Sequence, residues 1–96
     1  MNVNYFFLLN IFISFLSATN YYVATSYGND TNNGTSINTP FKTIAKAASV
    51  MSSGDICYIR QGRYHETVTI NNLDGASGSA IIFTNYNNER VIMDGT

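Results

Sequence analysis

The sequence has few charged residues, a single cysteine, a single proline and no tryptophan. Five Lys and Arg residues stand against six Asp and Glu residues in 96, so the formal net charge is −1. Without a basic cluster the chain lacks the charge pattern of nucleic-acid-binding proteins, and it has neither an acidic tail nor a polybasic membrane patch. One cysteine excludes an internal disulfide, and one cysteine with one histidine excludes a His/Cys zinc site. We therefore expect no nucleic-acid partner.

All charged side chains lie after Asn20, and the longest apolar run precedes it. Residues 5–16 read YFFLLNIFISFL, and the small residues Ser17 and Ala18 follow. This pattern is typical of a secretory signal peptide, and the run is shorter than the ~20 apolar residues of a transmembrane helix. We predict that residues 1–18 are a signal peptide, that no segment spans a membrane, and that the protein is secreted or held in a periplasm or at a cell surface. A hydrophobic N-terminal strand or buried helix is the alternative.

The rest of the chain, residues 19–96, would form a small domain without a disulfide or metal. A single core of that size supplies only about 3–5 kcal/mol. We therefore expect residues 19–96 to be a truncated part of a longer domain. Residues 26–38 are rich in Gly, Asn, Ser and Thr, which predicts a loop. This loop contains two N-glycosylation sequons, at Asn29 and Asn33, that have a meaning only in a eukaryotic source.

One helix is predicted, and it begins at Thr39 and Pro40. Threonine is a good N-cap residue, and proline is favoured at the first helical position. Apolar residues then recur with the spacing of one helix face, namely Phe41, Ile44, Ala45 and Ala48. Gly54 is the residue type that ends helices in the left-handed conformation. The pattern predicts an amphipathic helix over residues 40–51.

Elsewhere the sequence predicts short strands separated by turns. The predicted strands cover residues 21–25, 56–59, 67–70, 80–84 and 90–93. A turn is predicted at Gln61–Gly62. Ile56 and Ile81 lie 25 positions apart, and Val68 and Val91 lie 23 apart. Strands that return at such intervals favour stacked coils over hairpins.

The alternation of side chains along the second strand predicts which of them are buried. Successive residues of a strand point to opposite faces of the sheet. We therefore expect Cys57 and Ile59 to face the interior, with Ile56 and Tyr58 on the outer face. Cys57 is accordingly predicted to be a buried, unreactive thiol, because no nearby group would lower its pKa.

His65 and Glu66 are the pair of residues most suggestive of catalysis. A histidine beside a carboxylate can act as a general acid or base. However, adjacent residues on a strand point in opposite directions, so these two are not expected to act together. We predict instead that Glu66 pairs with a surface arginine, either Arg60, Arg63 or Arg90.

Two further groups of residues have both a functional and a structural interpretation. Asp74–Gly75 and Asp94–Gly95 would hold calcium if their carboxylates met on neighbouring coils, but each is more simply an Asp-Gly turn. Six tyrosines would stack on sugars or serve in packing: Tyr21, Tyr22, Tyr27, Tyr58, Tyr64 and Tyr86. The structural interpretation is favoured for both groups.

A series of short motifs indicates the fold. The chain contains, in order, the segments YYVAT, GND, GT, PFKTI, KAA, GD, YIR and VIMDG. Together they resemble the start of secreted right-handed parallel β-helix proteins of the pectate-lyase-like superfamily, which includes polysaccharide lyase family nine. The resemblance covers residues 21–96. It implies an all-β fold, the start of a right-handed parallel β-helix with fewer than two coils, and an N-terminal α-helix that caps the first coil.

The resemblance also implies a function. The chain would be the N-terminal fragment of a carbohydrate-active protein, a polysaccharide lyase or glycoside hydrolase, that binds a polysaccharide or glycan in its full-length form. In such enzymes the catalytic residues and calcium ligands lie in later coils. We therefore assign no catalytic, cofactor-binding or metal-binding residue here, expect this chain alone to be inactive, and expect calcium only in the full-length protein. The alternatives are a non-catalytic β-helix surface or adhesion protein and a small secreted β-rich domain of another kind.

Overall fold

The computed structural model describes residues 18–68 and 80–95, and it consists mostly of short parallel β-strands. The elements in chain order are β1 (Asn20–Val23), α1 (Ile44–Val50), β2 (Ile56–Ile59), β3 (Gly62–Tyr64), β4 (Ile82–Asn85), a 3-10 turn (Tyr86–Asn88) and β5 (Val91–Met93). Strands β1, β2 and β4 form one parallel sheet in that order, and β3 pairs with β5 in a second parallel sheet. Two parallel sheets with long crossovers are consistent with the predicted start of a parallel β-helix.

The register between strands differs from the spacing inferred from the sequence. Ile56 pairs with Ile82, one position later than predicted, and Val91 pairs with Gly62 rather than with Val68. The predicted turn at Gln61–Gly62 is confirmed, because Gln61 is a bend and Gly62, with a φ of 146°, begins β3 where the chain passes from the first sheet to the second. The N–H of Gly62 donates to the carbonyl of Arg90 at 3.2 Å. Paired residues are 36 positions apart between β1 and β2 (Asn20 and Ile56), 26 between β2 and β4 (Ile56 and Ile82) and 29 between β3 and β5 (Gly62 and Val91), so the separation is not constant.

Helix α1 begins four positions later than predicted. Phe41 is extended and pairs with β1, since its N–H donates to the carbonyl of Tyr22 and its carbonyl accepts the N–H of Ala24, both at 2.9 Å. These strand-like hydrogen bonds take the place of helical ones over residues 40–42. Thr43, rather than Thr39, is the N-cap, and its hydroxyl accepts a first-turn backbone N–H at 3.1 Å.

The helix packs on the sheet through a face slightly different from the predicted one. Ile44, Ala47 and Ala48 are buried, whereas Ala45 is exposed. Their positions have the i, i+3, i+4 spacing of one helix face. The buried side chains that meet in the core are Val23, Phe41, Ile44, Ala47, Met51, Cys57, Ile59 and Tyr64. Gly54 has a φ of 87°, the left-handed conformation that the sequence predicts for it. It does not end the helix, however, because α1 ends at Val50 with an extended C-cap at Met51, and Gly54 lies in the turn that follows.

The predicted alternation along β2 is confirmed. Cys57 and Ile59 are buried, and Ile56 and Tyr58 are partly exposed on the other face. Burial raises the pKa of the Cys57 thiol to about 12. A thiol with such a pKa is protonated at neutral pH and is a poor nucleophile.

Several predictions lie outside the described residues. They include the signal peptide over residues 1–18, apart from its last residue, and the turn at Asp74–Gly75. The strand predicted over residues 67–70 is described only in part. Residues 67 and 68 are not in a strand, and residues 69 and 70 are outside the described residues. Within residues 18–68 and 80–95, no helix has the length and apolar character needed to cross a membrane.

Asp30 connects the loop of residues 26–40 to the start of α1. Its carboxylate accepts hydrogen bonds from the N–H groups of Lys42 (2.8 Å) and Thr43 (2.9 Å) and from the Thr43 hydroxyl (2.9 Å). Burial acts to raise the pKa of Asp30, but the hydrogen bonds from Thr43 and Lys42 outweigh burial and hold this pKa below its usual value. The ionised carboxylate therefore stabilises the folded loop.

We expect Asp30→Asn to destabilise the protein at neutral pH and to have a much smaller effect in acid. Because the folded-state pKa of Asp30 is lowered, its contribution is present above the unfolded-state value of about 4 and is lost as the pH falls through the folded-state pKa. Urea unfolding midpoints of wild type and variant at about pH 7 and about pH 3 measure this difference. An equal gap between the midpoints at both pH values would contradict the prediction.

Candidate functional site

The outer face of the β1–β2–β4 sheet carries three tyrosines in contact. Tyr22 and Tyr58 are opposite each other in the register of β1 and β2, and their rings stack with centroids 5.6 Å apart and an interplanar angle of 25°. Tyr86 follows β4 and contacts both rings edge-on, with centroid distances of 6.3 Å. We refer to these three residues as the tyrosine cluster. All three are partly exposed, so the cluster is accessible from solvent.

Strand alternation explains why the cluster faces outward. Tyr22 precedes the buried Val23, and Tyr58 lies between the buried Cys57 and Ile59, so the outward positions of both strands are aromatic. Within residues 18–68 and 80–95, the hydroxyls of the tyrosine cluster form no hydrogen bond, and no buried side-chain polar atom lacks a partner. The three hydroxyls are therefore directed to solvent and are available to a ligand.

An ion pair lies beside the cluster. Arg60 binds Glu89 in a bidentate manner, with Nε–Oε1 at 2.9 Å and Nη2–Oε2 at 2.7 Å. Its guanidinium carbon lies 5.1 Å from the centroid of the Tyr86 ring, and its Nη1 donates to the Tyr27 hydroxyl at 3.1 Å. The hydrogen bond with Glu89 raises the pKa of Arg60, and the same bond lowers the pKa of Glu89. Both groups stay ionised and neutralise each other.

The Arg60–Glu89 pair was not predicted, although a signal for it exists in the sequence. The two residues are 29 positions apart, which is also the separation of the paired residues Gly62 and Val91. The same separation of 29 positions that pairs β3 with β5 therefore also brings Glu89 next to Arg60. The spacing of apolar strand positions does not predict the pair, because Arg60 and Glu89 are charged and lie just outside the strands.

Glu66 does not pair with an arginine, so that prediction is wrong. Its two carboxylate oxygens accept the N–H groups of Ile44 at 2.9 Å and Ala45 at 3.0 Å. These N–H groups belong to the first turn of α1, where they have no acceptor within the helix. A carboxylate at this end of a helix is also favoured by the helix dipole. Glu66 therefore has a structural role that depends on the packing of α1.

His65 contacts Asp94 rather than Glu66. Its Nδ1 lies 3.2 Å from Asp94 Oδ2, and Arg63 Nη1 donates to the same oxygen at 3.3 Å. As predicted, His65 and Glu66 have separate partners and form no acid–base pair. No group of three or more His, Cys, Asp and Glu side chains suited to a metal ion occurs in the described part of the chain. The calcium interpretation of Asp74 and Asp94 is not tested, because Asp74 is outside the described residues.

The other three tyrosines that the sequence singled out have structural contacts. Tyr64 is 1% exposed and donates its hydroxyl to a backbone carbonyl at 2.7 Å. Tyr21 stacks on the core residue Phe41 with a centroid distance of 6.0 Å. Tyr27 is 48% exposed, but its hydroxyl donates to a loop carbonyl at 2.8 Å. The packing interpretation therefore applies to these three, while the tyrosine cluster remains a candidate binding surface.

An apolar cavity of about 360 Å³ opens between the two sheets beside β4 and β5. The residues that line it are Ile44, Ile59, Val68, Phe83, Thr84, Asn85, Val91 and Met93. None of them has a titratable side chain, so the cavity offers no group for acid–base chemistry. Most of its lining is the inward face of the strands, and we interpret it as the interior space between the sheets.

Comparison with known sequences identifies relatives of the chain. Residues 26–88 match the family model described as protein of unknown function, DUF1565. The chain is 41% identical over 68 residues to the uncharacterized protein YwoF of Bacillus subtilis (strain 168), a match that covers 71% of this chain and 14% of YwoF. The chain thus spans about one seventh of the length of this curated relative.

Solved structures with a similar fold include three carbohydrate-related proteins. The complex of XylC with xylose is 35% identical with a TM-score of 0.68 over 76% of this chain and 11% of XylC. Rhamnogalacturonan lyase is 28% identical with a TM-score of 0.62 over 79% of this chain and 22% of the lyase. The GH136 lacto-N-biosidase from Eubacterium ramulus, at 22% identity and a TM-score of 0.58 over 71% of this chain and 11% of the enzyme, shows the fold alone. Because the family model matches more than half of the sequence, the chain belongs to the DUF1565 family, with the parallel sheets of a pectate-lyase-like β-helix.

Proposed function

We propose that this chain is the N-terminal segment of a secreted, carbohydrate-active β-helix protein of the polysaccharide lyase or glycoside hydrolase type. The observation that carries the proposal is the likeness to XylC in complex with xylose, at 35% identity over 76% of this chain. Rhamnogalacturonan lyase, at 28% identity, supports the same class of substrate. The motifs quoted from the sequence favour polysaccharide lyase family nine and its relatives, and the partner of the full-length protein is a polysaccharide or glycan.

In this proposal α1 caps the first coil, and further coils stack on β4 and β5. The first part is supported by α1, which buries Ile44, Ala47 and Ala48 against the core. The second part is supported by the two strands, each of which has one parallel neighbour in the part of the chain that the structure describes. A strand with a free edge is a template for another strand. A further coil with apolar inward residues would also fill the cavity between the sheets.

We place the active site outside this segment. The described carboxylates all accept hydrogen bonds from backbone N–H groups or basic side chains: Asp30, Asp55, Glu66, Glu89 and Asp94. A general acid or base needs a carboxyl group within reach of a substrate proton. Carboxylates that hold loops and helix ends are poorly suited to that task, which supports catalysis by residues of later coils. Calcium, where the full-length protein uses it, would bind there too.

Export is part of the proposal. It is supported by the apolar run of residues 5–16, by the small residues that follow it, and by the absence of charged side chains before Asp30. Residues 1–18 would be removed as a signal peptide, which leaves residues 19–96 as the start of the β-helix domain. The mature protein would then act outside the cytoplasm, either free or at the cell surface.

The proposed function predicts activity in the full-length protein and none in residues 19–96 alone. We would incubate both with xylan, rhamnogalacturonan, pectin and alginate, and measure new reducing ends and the ultraviolet absorbance of unsaturated sugar products. Hydrolysis yields reducing ends only, whereas elimination yields both signals. Product formation by residues 19–96 alone would contradict the placement of the active site.

A non-catalytic β-helix surface or adhesion protein is the second candidate. The exposed tyrosine cluster on the outer sheet face is compatible with it, because a binding surface needs no acid or base. Retention of the full-length protein on a glycan without any product would support this candidate over an enzyme. A self-contained small β-rich domain is supported less, because the edges that β4 and β5 leave open in the described part of the chain favour a longer stack of strands.

A further inference from the structure

We propose that the tyrosine cluster, Tyr22, Tyr58 and Tyr86, is a stacking surface for the neutral sugar rings of a glycan chain. This site is separate from the catalytic centre that we place in later coils, and it extends the proposed function, on which it rests, by naming a binding surface and a class of ligand. Four features of the outer sheet face support it: the absence of charge, the free hydroxyls, the neutralised ion pair and the alignment of the rings.

The outer face of the sheet is uncharged and partly apolar. Its two rows across the strands are Asn20, Ile56 and Ile82, and Tyr22, Tyr58 and Thr84. No member of either row has an ionisable group that is charged at neutral pH, and Ile82 is 45% exposed. A contiguous exposed face of apolar and aromatic side chains is a common mark of a binding surface.

The chemistry of the cluster matches a sugar ring. A pyranose presents C–H groups on its face and hydroxyls at its edge, so it needs an apolar surface bordered by hydrogen-bonding groups. Tyrosine rings offer a π-face with a polar end. The hydroxyls of the cluster make no hydrogen bond within residues 18–68 and 80–95, whereas those of Tyr27 and Tyr64 are used internally. The cluster therefore brings three free hydroxyls together on one aromatic surface.

The charges beside the cluster favour a neutral glycan over an acidic one. Arg60 contacts the Tyr86 ring, but its guanidinium is bound by both oxygens of Glu89, at 2.9 and 2.7 Å. The Arg60–Glu89 pair has no net charge, and Glu89 occupies the side of the guanidinium that would otherwise bind the carboxylate of a uronic acid. Binding through stacking and neutral hydrogen bonds is also weakly dependent on salt, in contrast to binding through ion pairs.

The positions of the rings predict the direction of the bound chain. Tyr22 and Tyr58 occupy equivalent positions on neighbouring parallel strands, and the row continues at Thr84 on β4. Neighbouring strands lie about 4.8 Å apart. A glycan that contacts successive members of this row crosses the strands and runs along the stacking direction of the sheets.

The experiment is affinity electrophoresis of the full-length protein in gels that contain xylan, a second neutral glycan such as galactan, or polygalacturonate. The test variants are the double substitutions Tyr22→Ala with Tyr58→Ala and Tyr22→Phe with Tyr58→Phe. Arg63→Ala, an exposed residue of the other sheet, is the control. Far-UV circular dichroism checks that each variant is folded. The phenylalanine variant keeps both rings and so tests the hydroxyls even where the alanine variant does not fold.

We expect retention of the wild type by a neutral glycan, with little change between low salt and about 0.5 M salt. The double alanine variant should lose about tenfold in affinity, the double phenylalanine variant about threefold, and Arg63→Ala should match the wild type. The proposal is overturned by no retention on either neutral glycan, by wild-type affinity in both double variants, or by salt-sensitive retention on polygalacturonate alone.

The outcome is independent of the activity assay. Tyrosine-dependent retention without product formation would contradict the enzyme proposal and support the binding surface. Product formation with unchanged retention of the folded double variants would support the enzyme and overturn the binding surface.

Discussion

Replacing Phe41 with alanine is expected to lower the free energy of unfolding by about 3–5 kcal/mol, the range for removing a buried phenylalanine. The Phe41 side chain is 2% exposed and stacks on Tyr21 with a centroid distance of 6.0 Å. The ring also lies against the backbone of Gly34, so the substitution would open a cavity between β1 and the loop. Urea unfolding followed by circular dichroism measures the loss.

Lys42→Ala is the matched control for Phe41→Ala. Lys42 is the next residue in the chain and is exposed, and its Nζ makes one hydrogen bond, to the carbonyl of Thr25 at 3.0 Å. An exposed contact of this kind is worth about 1 kcal/mol or less. Similar losses for the two variants would contradict the placement of Phe41 in the core.

Gly28→Ala is expected to destabilise the protein by about 3 kcal/mol, at the upper end of the range for overpacking. An added Cβ would lie 2.1 Å from the carbonyl oxygen of Phe41 and 2.4 Å from that of Ala24. Neither oxygen is free to move, because Phe41 O accepts the N–H of Ala24 at 2.9 Å, and Ala24 O accepts the N–H of Gly28 at 2.8 Å. The clash is relieved only by breaking the pairing of the loop with β1.

Limited proteolysis measures this second effect directly, because a loop released from β1 is cut more rapidly. We expect new cleavage within residues 26–40 in addition to a lower unfolding midpoint. Gly54→Asn is the control. Gly54 has a φ of 87° and nothing within 4 Å of an added Cβ, and asparagine tolerates the left-handed conformation. Wild-type proteolysis of Gly28→Ala would contradict the prediction.

These two substitutions also bear on the candidate site. The loop of residues 26–40 carries Tyr27, whose hydroxyl accepts a hydrogen bond from Arg60 at 3.1 Å. Arg60 in turn contacts the Tyr86 ring of the tyrosine cluster. Release of the loop therefore removes one support of the Arg60–Glu89 pair. The packing of Phe41 in the core and the close approach of Gly28 to the backbone of Phe41 and Ala24 thus support the surface that we propose to bind sugars.

Local sequence patterns were sufficient to predict several elements. Strand β2 has the predicted bounds, Ile56–Ile59, and its buried and exposed residues alternate as expected. The left-handed conformation of Gly54 was also predicted correctly, although α1 ends before it, at Val50. These features depend on residues within a few positions of one another, where alternation and backbone preference are sufficient. The motif series likewise predicted the parallel β-helix type of fold, with which the two parallel sheets are consistent.

The errors concern contacts between distant residues. Threonine and proline at positions 39 and 40 are a valid start for a helix, but the pairing of Phe41 with β1 delays the helix until Ile44. Glu66 was expected to meet an arginine, and it binds the first turn of α1 instead. In the first case the partner is the backbone of β1, and in the second it is the backbone of the first turn of α1. Both partners are distant in the chain, so local propensity cannot identify them.

The amino-acid sequence therefore specified the parallel β-helix type of fold, the buried and exposed faces of β2, and the lack of an internal disulfide. The folded arrangement selected the register of the sheets and with it the neighbours of each outward side chain. Tyr22 and Tyr58 are far apart in the chain and stack only because β1 and β2 pair in one register. A shift of one position would turn one tyrosine to the interior. The register depends on which face of every paired strand is buried, so it is a property of the whole fold rather than of any local pattern.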